Sequence, residues 1–316
     1  MAPRTGVGID VGGTKVLGVL VGEDGSVLRE DLFETPAEDV AGIMETIYRL
    51  ADILRDGADP VGVGVGAAGM VDFGAGMIRS APNLAWRETP IRDLVEERTG
   101  LPCVVDNDAN AATWAEYRFG AGRGYAHLLV VTVGTGIGGG IVADGALSRG
   151  AHGFAAEIGH FIVEPGGPWC GCGNRGCWEQ VASGQALDRL ARRLAEQRPD
   201  SRVALLAGHA EATGLHVWEA ARAGDRAATQ IIEEIGRRLG EGIAGLVNVL
   251  DPEAVVVGGG VAEIGSPLFE PARRAFLGAV EAPGHRPEVP IIPAALGNRA
   301  GAIGAAALAL DRAGAR

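Results

Sequence analysis

Three of the four cysteines of this chain lie in one short segment, as Cys170-x-Cys172-x4-Cys177, and His160 stands ten residues before the first. Three thiolates and one imidazole form a complete tetrahedral ligand set for zinc, with no position left open for water. A closed set of this kind is normally structural. We therefore predict a zinc ion that fixes a loop through His160, Cys170, Cys172 and Cys177.

Two other uses of closely spaced cysteines fit this sequence less well. Disulfide frameworks belong to exported proteins, and no signal peptide is recognisable before Asp10. A redox centre usually has the spacing Cys-x-x-Cys, which this sequence lacks. The spacing favours zinc.

Two carboxylates flank the predicted metal set, Glu157 three residues before His160 and Glu179 two residues after Cys177. A histidine bound to zinc usually gives its second ring N–H to an acceptor. If that acceptor is a substrate hydroxyl, the metal and the substrate share His160. Taken singly, each glutamate is more typical of a solvated surface.

The bulk composition sets limits on the function. A chain of 316 residues can form two domains, and 47% hydrophobic residues indicate a globular protein. The net charge of -12 argues against a nucleic-acid surface. No apolar segment is long enough to span a bilayer, so a cytoplasmic location is expected.

Glycine turns between short strands are a second candidate for chemistry. Strands are predicted over Thr5–Asp10 and Val16–Val21, joined by Val11-Gly-Gly-Thr-Lys15. Glycine supplies the positive φ of hairpin turns and also lets backbone N–H groups approach an anion. An isolated turn of this kind is more typical of an ordinary hairpin.

The segment VTVGTGIGGGIVADG repeats the order strand, glycine turn, strand and acidic-glycine turn seen in IDVGGTKVLGVLVGEDG. Here the turn is predicted over Gly134–Gly140, with the next strand beginning at Ile141. Two such units suggest a duplicated domain whose glycine turns hold a polyphosphate from both sides.

Other residues remain open between a structural and a ligand-binding role. Asp108 follows the strand predicted over Cys103–Asp106, where it could cap a helix or contact a ligand. Asn83 could hold a Pro-Asn turn or bind a ligand. Gly258–Gly260 could form a plain turn or a surface for a base or ribose. The stretch that follows Met70 and contains Ala81-Pro-Asn-Leu-Ala-Trp86, before the helix near Ile91, is expected to be irregular.

The motifs together resemble those of the ROK family of sugar kinases and sugar-responsive regulators, over essentially the whole chain. The motifs that carry the resemblance are Asp10-Val-Gly-Gly-Thr-Lys15, Asn107-Asp-Ala-Asn-Ala-Ala112, Val133-Gly-Thr-Gly-Ile-Gly-Gly-Gly140, Glu157-Ile-Gly-His160, Cys170-Gly-Cys-Gly-Asn-Arg-Gly-Cys-Trp-Glu179 and Gly258-Gly-Gly260. Within the family, the chain is most similar to bacterial ATP-dependent glucokinases.

The resemblance implies an α/β fold of the actin-like or hexokinase-like ATPase type. Two ribonuclease-H-like domains would close around a cleft, and the structural zinc site would belong to one of them. The expected domains are a small one over 1–118, joined by the C-terminal helix at about 298–316, and a large one over 119–297 that carries the zinc loop and an oligomer surface.

The resemblance also implies a role for each motif residue in the ATP-dependent phosphorylation of glucose. Asp108 would be the general base that accepts the proton of the sugar 6-hydroxyl. The expected sugar ligands are Asn83, Asn107, Asp108, Glu157, His160 and Glu179. The expected ligands of ATP and Mg²⁺ are Asp10, Gly12, Gly13, Thr14, Lys15, Gly134, Thr135, Gly136, Ile137, Gly138, Gly139, Gly258, Gly259 and Gly260.

One position departs from the family pattern, because Ala156 stands where glycine often precedes the glutamate. The substrate also stays open, since N-acetylmannosamine, N-acetylglucosamine, fructose or allose could replace glucose, and polyphosphate could replace ATP. A sugar-sensing regulator is the main alternative, although the first strand begins at about Thr5 and leaves no room for a helix-turn-helix before it. A homodimer or homotetramer is expected.

Overall fold

The computed structural model describes residues 3–81 and 84–314, and its contacts divide the chain into two compact units. Unit 1 comprises the described residues up to Val130, Gly140–Ala156 and the described residues from Ala294 onward. Unit 2 comprises Val131–Gly139 and Glu157–Pro293. This division by contacts runs differently from the predicted domain boundary at 118/119, which stays a prediction.

The elements are numbered in chain order. The strands are β1 (Thr5–Val11), β2 (Lys15–Gly22), β3 (Val27–Glu34), β4 (Val63–Ala67), β5 (Met70–Asp72), β6 (Met77–Ser80), β7 (Arg87–Thr89), β8 (Cys103–Asn107), β9 (Leu128–Val133), β10 (Ile137–Ala143), β11 (Ala146–Leu147), β12 (Ala254–Gly258) and β13 (Ile291–Pro293). The α-helices are α1 (Val40–Arg55), α2 (Ile91–Thr99), α3 (Asp108–Phe119), α4 (Glu179–Ala182), α5 (Gly184–Gln197), α6 (Arg202–Ala207), α7 (Gly214–Arg222), α8 (Arg226–Leu250), α9 (Ser266–Ala279) and α10 (Ala300–Gly314).

The main sheet of unit 1 has the order β3-β2-β1-β4-β8. β1 and β2 form an antiparallel hairpin, and β4 and β8 follow in parallel. The carboxyl ends of β1, β4 and β8 therefore meet at one edge of the sheet, which is where open α/β sheets place their ligands.

Glycines let α10 lie directly on this sheet. A Cβ built on Gly8 would come within 2.0 Å of the Ala302 carbonyl oxygen, and one on Gly64 within 1.8 Å of the Ala305 carbonyl oxygen. The alanine-rich face of α10 is the matching surface, and the residues from Ala300 to Leu310 are buried. Small residues on both elements thus allow close backbone packing beneath the sheet edge.

A small antiparallel sheet, β5-β6-β7, lies where the sequence analysis expected irregular structure. That expectation was wrong, because strands of three or four residues are too short to show a periodic pattern.

The second five-stranded sheet has the order β11-β10-β9-β12-β13, and the division between the units runs through β9 and β10. Its strands follow the chain in the same order as those of the first sheet, as the predicted duplication requires. The glycine turn is shorter than expected: β10 begins at Ile137 rather than Ile141, so Ile137, Gly138 and Gly139 lie in a strand. Runs of glycine hide this strand, since they carry no side chains to alternate.

No helix within the described ranges is long and apolar enough to cross a membrane.

Candidate active site and metal centre

Asp108 is the first residue of α3 and follows β8 directly. The cap of the helix is Asn107, whose side-chain oxygen accepts hydrogen bonds from the N–H groups of Ala109 (2.9 Å) and Asn110 (3.2 Å). The interpretation of Asp108 as the helix cap was therefore wrong, because the cap lies one residue earlier in the chain. Asp108 Oδ1 accepts one further hydrogen bond, from the Ala109 N–H (2.8 Å). Because a carboxylate can accept several hydrogen bonds and Asn107 already caps the helix, the Asp108 carboxylate can still take another role.

Asp10 lies next to Asp108 at the same sheet edge. Gly66 of β4 lies beside both, since a Cβ built there would lie 3.8 Å from Asp10 Oδ1 and 3.7 Å from Asp108 Cα. In the first turn of α10, a Cβ on Gly301 would come within 2.5 Å of Asp10 Oδ2. The glycine at position 301 thus leaves room for the Asp10 carboxylate.

The electrostatics of this pair favour protonation or a cation. Burial, and secondly the charge of Asp108, raise the pKa of Asp10 to about 7. Burial also raises the pKa of Asp108. A divalent cation would offset both effects, and hard oxygen ligands of this kind suit Mg²⁺.

The turn between β1 and β2 is held by backbone hydrogen bonds. The Gly12 N–H donates to the Lys15 carbonyl (3.0 Å), and the Thr35 hydroxyl donates to the Gly12 carbonyl (2.8 Å). Gly12 and Gly13 both belong to the described residues, and neither has a positive φ. The prediction that this turn needs glycine for a positive φ was therefore wrong. Close approach of the backbone is the remaining reason, since a Cβ on Gly12 would lie 3.3 Å from the Lys15 oxygen.

In unit 2, the predicted zinc ligands come together. One ligand atom from each of His160, Cys170, Cys172 and Cys177 lies within 4.8 Å of the others. The Cys172 and Cys177 sulfurs are 3.5 Å apart, and Cys170 Sγ is 3.6 Å from His160 Nδ1. Tetrahedral zinc would set such separations at about 3.6–3.8 Å, so the donor set fits the metal.

The chemistry of the thiols agrees with a metal centre. Burial raises the pKa of the Cys170 and Cys177 thiols, so without a cation both would stay protonated. A bound zinc ion supplies the positive charge that stabilises thiolates. His160 turns Nδ1 towards Cys170, which leaves Nε2 for a second partner.

Glu179 connects this centre to the second glycine turn. Its Oε1 lies 3.1 Å from Cys170 Sγ and 3.8 Å from His160 Nδ1. On its other side, a Cβ on Gly136 would come within 2.5 Å of Glu179 Oε2. Glu157 precedes the 3₁₀ helix Ile158–His160, and its carbonyl accepts from the His160 N–H (3.0 Å).

The turn at residues 134–136 is fixed by the start of α5. The Gly184 N–H donates to the Gly134 carbonyl (2.8 Å), and the Gln185 N–H donates to the Thr135 carbonyl (3.1 Å). The third glycine cluster lies beside it, because Gly259 has φ +88° and a Cβ there would come within 2.5 Å of the Val133 carbonyl oxygen. The structure thus brings Gly134–Gly136, Glu179 and Gly258–Gly260 together within unit 2.

Asn83, an expected sugar ligand, lies outside the described residues. Asp106 and Arg149, which had no predicted role, form a short ion pair in unit 1 (2.7 Å). No sequence signal links them, since they stand 43 positions apart.

The strand order and the paired aspartates define a hexokinase-like α/β protein. The chain belongs to the ROK family, whose profile matches residues 6–312.

Several relatives match nearly the full length of this chain. The chain is 42% identical to the glucokinase of Streptomyces coelicolor, over 96% of this chain and 97% of that protein. It is 40% identical to the glucokinase of Thermotoga maritima, over 98% of both chains. The crystal structure of a ROK family glucokinase from Streptomyces griseus, in complex with glucose and AMPPNP, matches with a TM-score of 0.88 at 43% identity, over 97% of this chain and 99% of that one.

Proposed function

We propose that this protein is a glucokinase that transfers the terminal phosphoryl group of ATP to the 6-hydroxyl of glucose. The observation that carries the proposal is the full-length similarity, at 40–43% identity, to glucokinases, one of them solved with glucose and AMPPNP. Phosphoryl transfer asks a protein mainly for alignment and charge neutralisation, and the residues of the two units suit these tasks.

Asp108 is proposed as the general base. Its place at the carboxyl end of β8 and its raised pKa support this role, because burial makes the carboxylate a better proton acceptor. The loose transition state of phosphoryl transfer needs the proton removed late, so an aspartate suffices.

Asp10 and the turn Gly12–Lys15 are proposed to hold the terminal phosphates together with Mg²⁺. The metal, when bound, neutralises charge on the phosphates. Lys15 is exposed at the start of β2, where its ammonium can reach an anion. In unit 2, Gly134–Gly139 are proposed as phosphate contacts and Gly258–Gly260 as the border of the adenosine.

The proposed sugar ligands besides Asp108 are Asn83, Asn107, Glu157, His160 and Glu179. The Asn107 amide already donates one N–H to the Gly69 carbonyl (3.2 Å), which leaves its second N–H for a hydroxyl. His160 would bind zinc through Nδ1 and the sugar through Nε2, so zinc would act only by holding the loop. Sites built from such groups reject analogues that lack a hydroxyl.

A cytoplasmic location and a homodimer or homotetramer complete the proposal. Reduced thiols and ATP are both available in the cytoplasm, which supports the location.

The experiment is kcat/KM for glucose, N-acetylmannosamine, N-acetylglucosamine, fructose and allose, each with ATP and with polyphosphate. We expect glucose with ATP to give the highest value. A higher value for another sugar would replace the substrate, and no transfer to any sugar would leave the sugar-sensing regulator as the function.

A further inference from the structure

A buried ion pair lies behind the proposed base. Asp106 is 2% exposed and is two residues before Asp108. Its Oδ2 accepts a hydrogen bond from Arg149 Nε at 2.7 Å. Its Oδ1 accepts from the Asn107 N–H (2.8 Å) and from Asn110 Nδ2 (3.0 Å). The carboxylate therefore joins the end of β8 to the first turn of α3, with Asp108 between these two contacts.

Arg149 is itself fixed on a second side. Its guanidinium carbon lies 3.8 Å from the centroid of the Phe73 ring, within the range of a cation–π contact. Its carbonyl accepts from the Ala155 N–H (3.1 Å), which closes the loop that carries it. A Cβ on Gly153 would come within 2.5 Å of the Val71 carbonyl oxygen, so this loop lies directly on β5 and the residues after it.

The chemistry of the pair suits positioning. The planar guanidinium of Arg149 stacks on Phe73 and donates to Asp106, and these two contacts together fix its orientation. The ammonium of a lysine is a flexible point charge and would not be fixed in this way. A buried carboxylate that loses its cation must move towards water or take up a proton. Either change would disturb the Asn107 and Asn110 contacts that border Asp108.

We infer that Arg149 is a positioning residue for phosphoryl transfer, acting through Asp106 on the Asn107–Asn110 turn that carries the base. The inference rests on the proposed function. It adds a residue that touches neither sugar nor nucleotide but holds the proposed base in line with the reacting hydroxyl.

The test compares Arg149→Ala and Arg149→Lys with a control, Arg79→Ala. Arg79 and Arg149 both line a cavity of about 420 Å³. Arg79 forms ion pairs with Asp72 and Glu88 and not with Asp106. We expect Arg149→Ala to lower kcat by about 10- to 100-fold, with KM for ATP within about threefold of the parent. Arg149→Lys should fall between, and Arg79→Ala should match the parent.

Chemical rescue separates positioning from a general loss of structure. Millimolar guanidinium chloride should restore part of the kcat of Arg149→Ala, whereas the same concentration of sodium chloride should not. An Arg149→Ala kcat within twofold of the parent, or a lost kcat that guanidinium leaves unchanged, would overturn the inference. If Arg149→Ala does not fold, the same two constants are measured for Arg149→Lys. A lower kcat with an unchanged KM for ATP supports the role, and a parental kcat overturns it.

Amide hydrogen exchange keeps this inference separate from the proposed function. Should the parent phosphorylate no sugar, the proposed function fails, and exchange in residues 106–112 still tests the coupling. We expect exchange there to quicken in Arg149→Lys and not in Arg79→Ala. Equal exchange in the two variants would overturn the coupling.

Discussion

At the scale of single residues, the site brings two carboxylates, Asp10 and Asp108, together in a half-buried edge of a sheet. Burial is the larger cause of the raised pKa of Asp10, and the neighbouring charge is the second. The charged form of this pair is unfavourable, and a bound cation such as Mg²⁺ would offset that cost. This is the usual condition of sites that bind charged substrates.

The raised pKa of Asp10 gives a prediction for stability. Its folded pKa of about 7 exceeds its unfolded value of 3.8, so between these values the folded state holds a proton that the unfolded state has released. Stability therefore falls as pH rises through this window. In magnesium-free protein, we expect the free energy of unfolding of the parent, relative to Asp10→Asn, to fall by about 2 kcal/mol from about pH 5 to about pH 7.5.

Urea unfolding of both proteins in a chelating buffer measures this difference. Asp10→Asn is the control for the parent, because the other titrating groups are common to both proteins. Parallel pH dependence of the two would show that Asp10 has an ordinary pKa.

Ala156 stands where the family resemblance led us to expect glycine, and the backbone at this position has a conformation that favours glycine. Its φ is +68°, a left-handed conformation that glycine adopts without cost. A Cβ in this region costs about 1 kcal/mol. The strained residue directly precedes Glu157, a proposed sugar ligand.

At the scale of elements, long periodic segments could be predicted and short ones could not. The strands predicted over Thr5–Asp10 and Val16–Val21 are β1 and β2, and their ends lie within one residue of the predicted ones. Strands β5 to β7 were missed, since three or four residues carry no periodic signal. Strand β10 was placed too late because glycines mask alternation.

The candidate site divides in the same way. The zinc ligands could be predicted because their spacing is local and their chemistry specific. The Asp106–Arg149 pair could not, since only the folded chain brings together a strand end and a distant loop.

Close packing of α10 on the first sheet gives a prediction for stability. In Gly64→Ala, the new Cβ would meet the Ala305 carbonyl at 1.8 Å, and backbone atoms cannot yield as a side chain can. We expect the free energy of unfolding to fall by about 3 kcal/mol or more. Gly278→Ala in α9 is the control, because no atom lies within 4 Å of its new Cβ, and it should leave stability equal or up to about 1 kcal/mol higher.

Chemical denaturation of the two variants beside the parent tests this packing. Equal stability of Gly64→Ala and Gly278→Ala would mean that α10 does not lie against Gly64.

The zinc loop gives a prediction for ligand binding. Cys172→Ser removes one thiolate from the metal set, so we expect zinc content to fall and glucose affinity to weaken by about tenfold or more. Nucleotide affinity should weaken less than glucose affinity, because Asp10 and Gly12–Lys15 belong to unit 1 and only the Gly134–Gly136 turn is linked to the zinc loop, through Glu179. Metal analysis and calorimetry with glucose and with AMPPNP measure these changes.

Arg175→Ala is the control, because it changes the same loop at a side chain that contacts the Gly167 carbonyl and the Trp169 ring rather than a proposed ligand. A zinc-depleted Cys172→Ser protein with parental glucose affinity would separate the metal from the sugar site.

At the scale of the whole molecule, two sheets with the same strand order each carry a glycine turn after the first strand of a hairpin. One unit holds the aspartates, and the other holds the zinc loop and the third glycine cluster. The ROK family profile matches residues 6–312, which include both units. The glucokinase relatives also match nearly the full length of this chain.

The most direct measurement is the turnover of Asp108→Asn beside its glucose affinity. The substitution keeps the size of the side chain and one acceptor oxygen but removes the base. We predict that kcat for glucose falls by about 10²-fold or more, while the Kd for glucose from calorimetry stays within about threefold. A folded Asp108→Asn protein with near-parental kcat would contradict the account, because the proton of the 6-hydroxyl would then leave by another route.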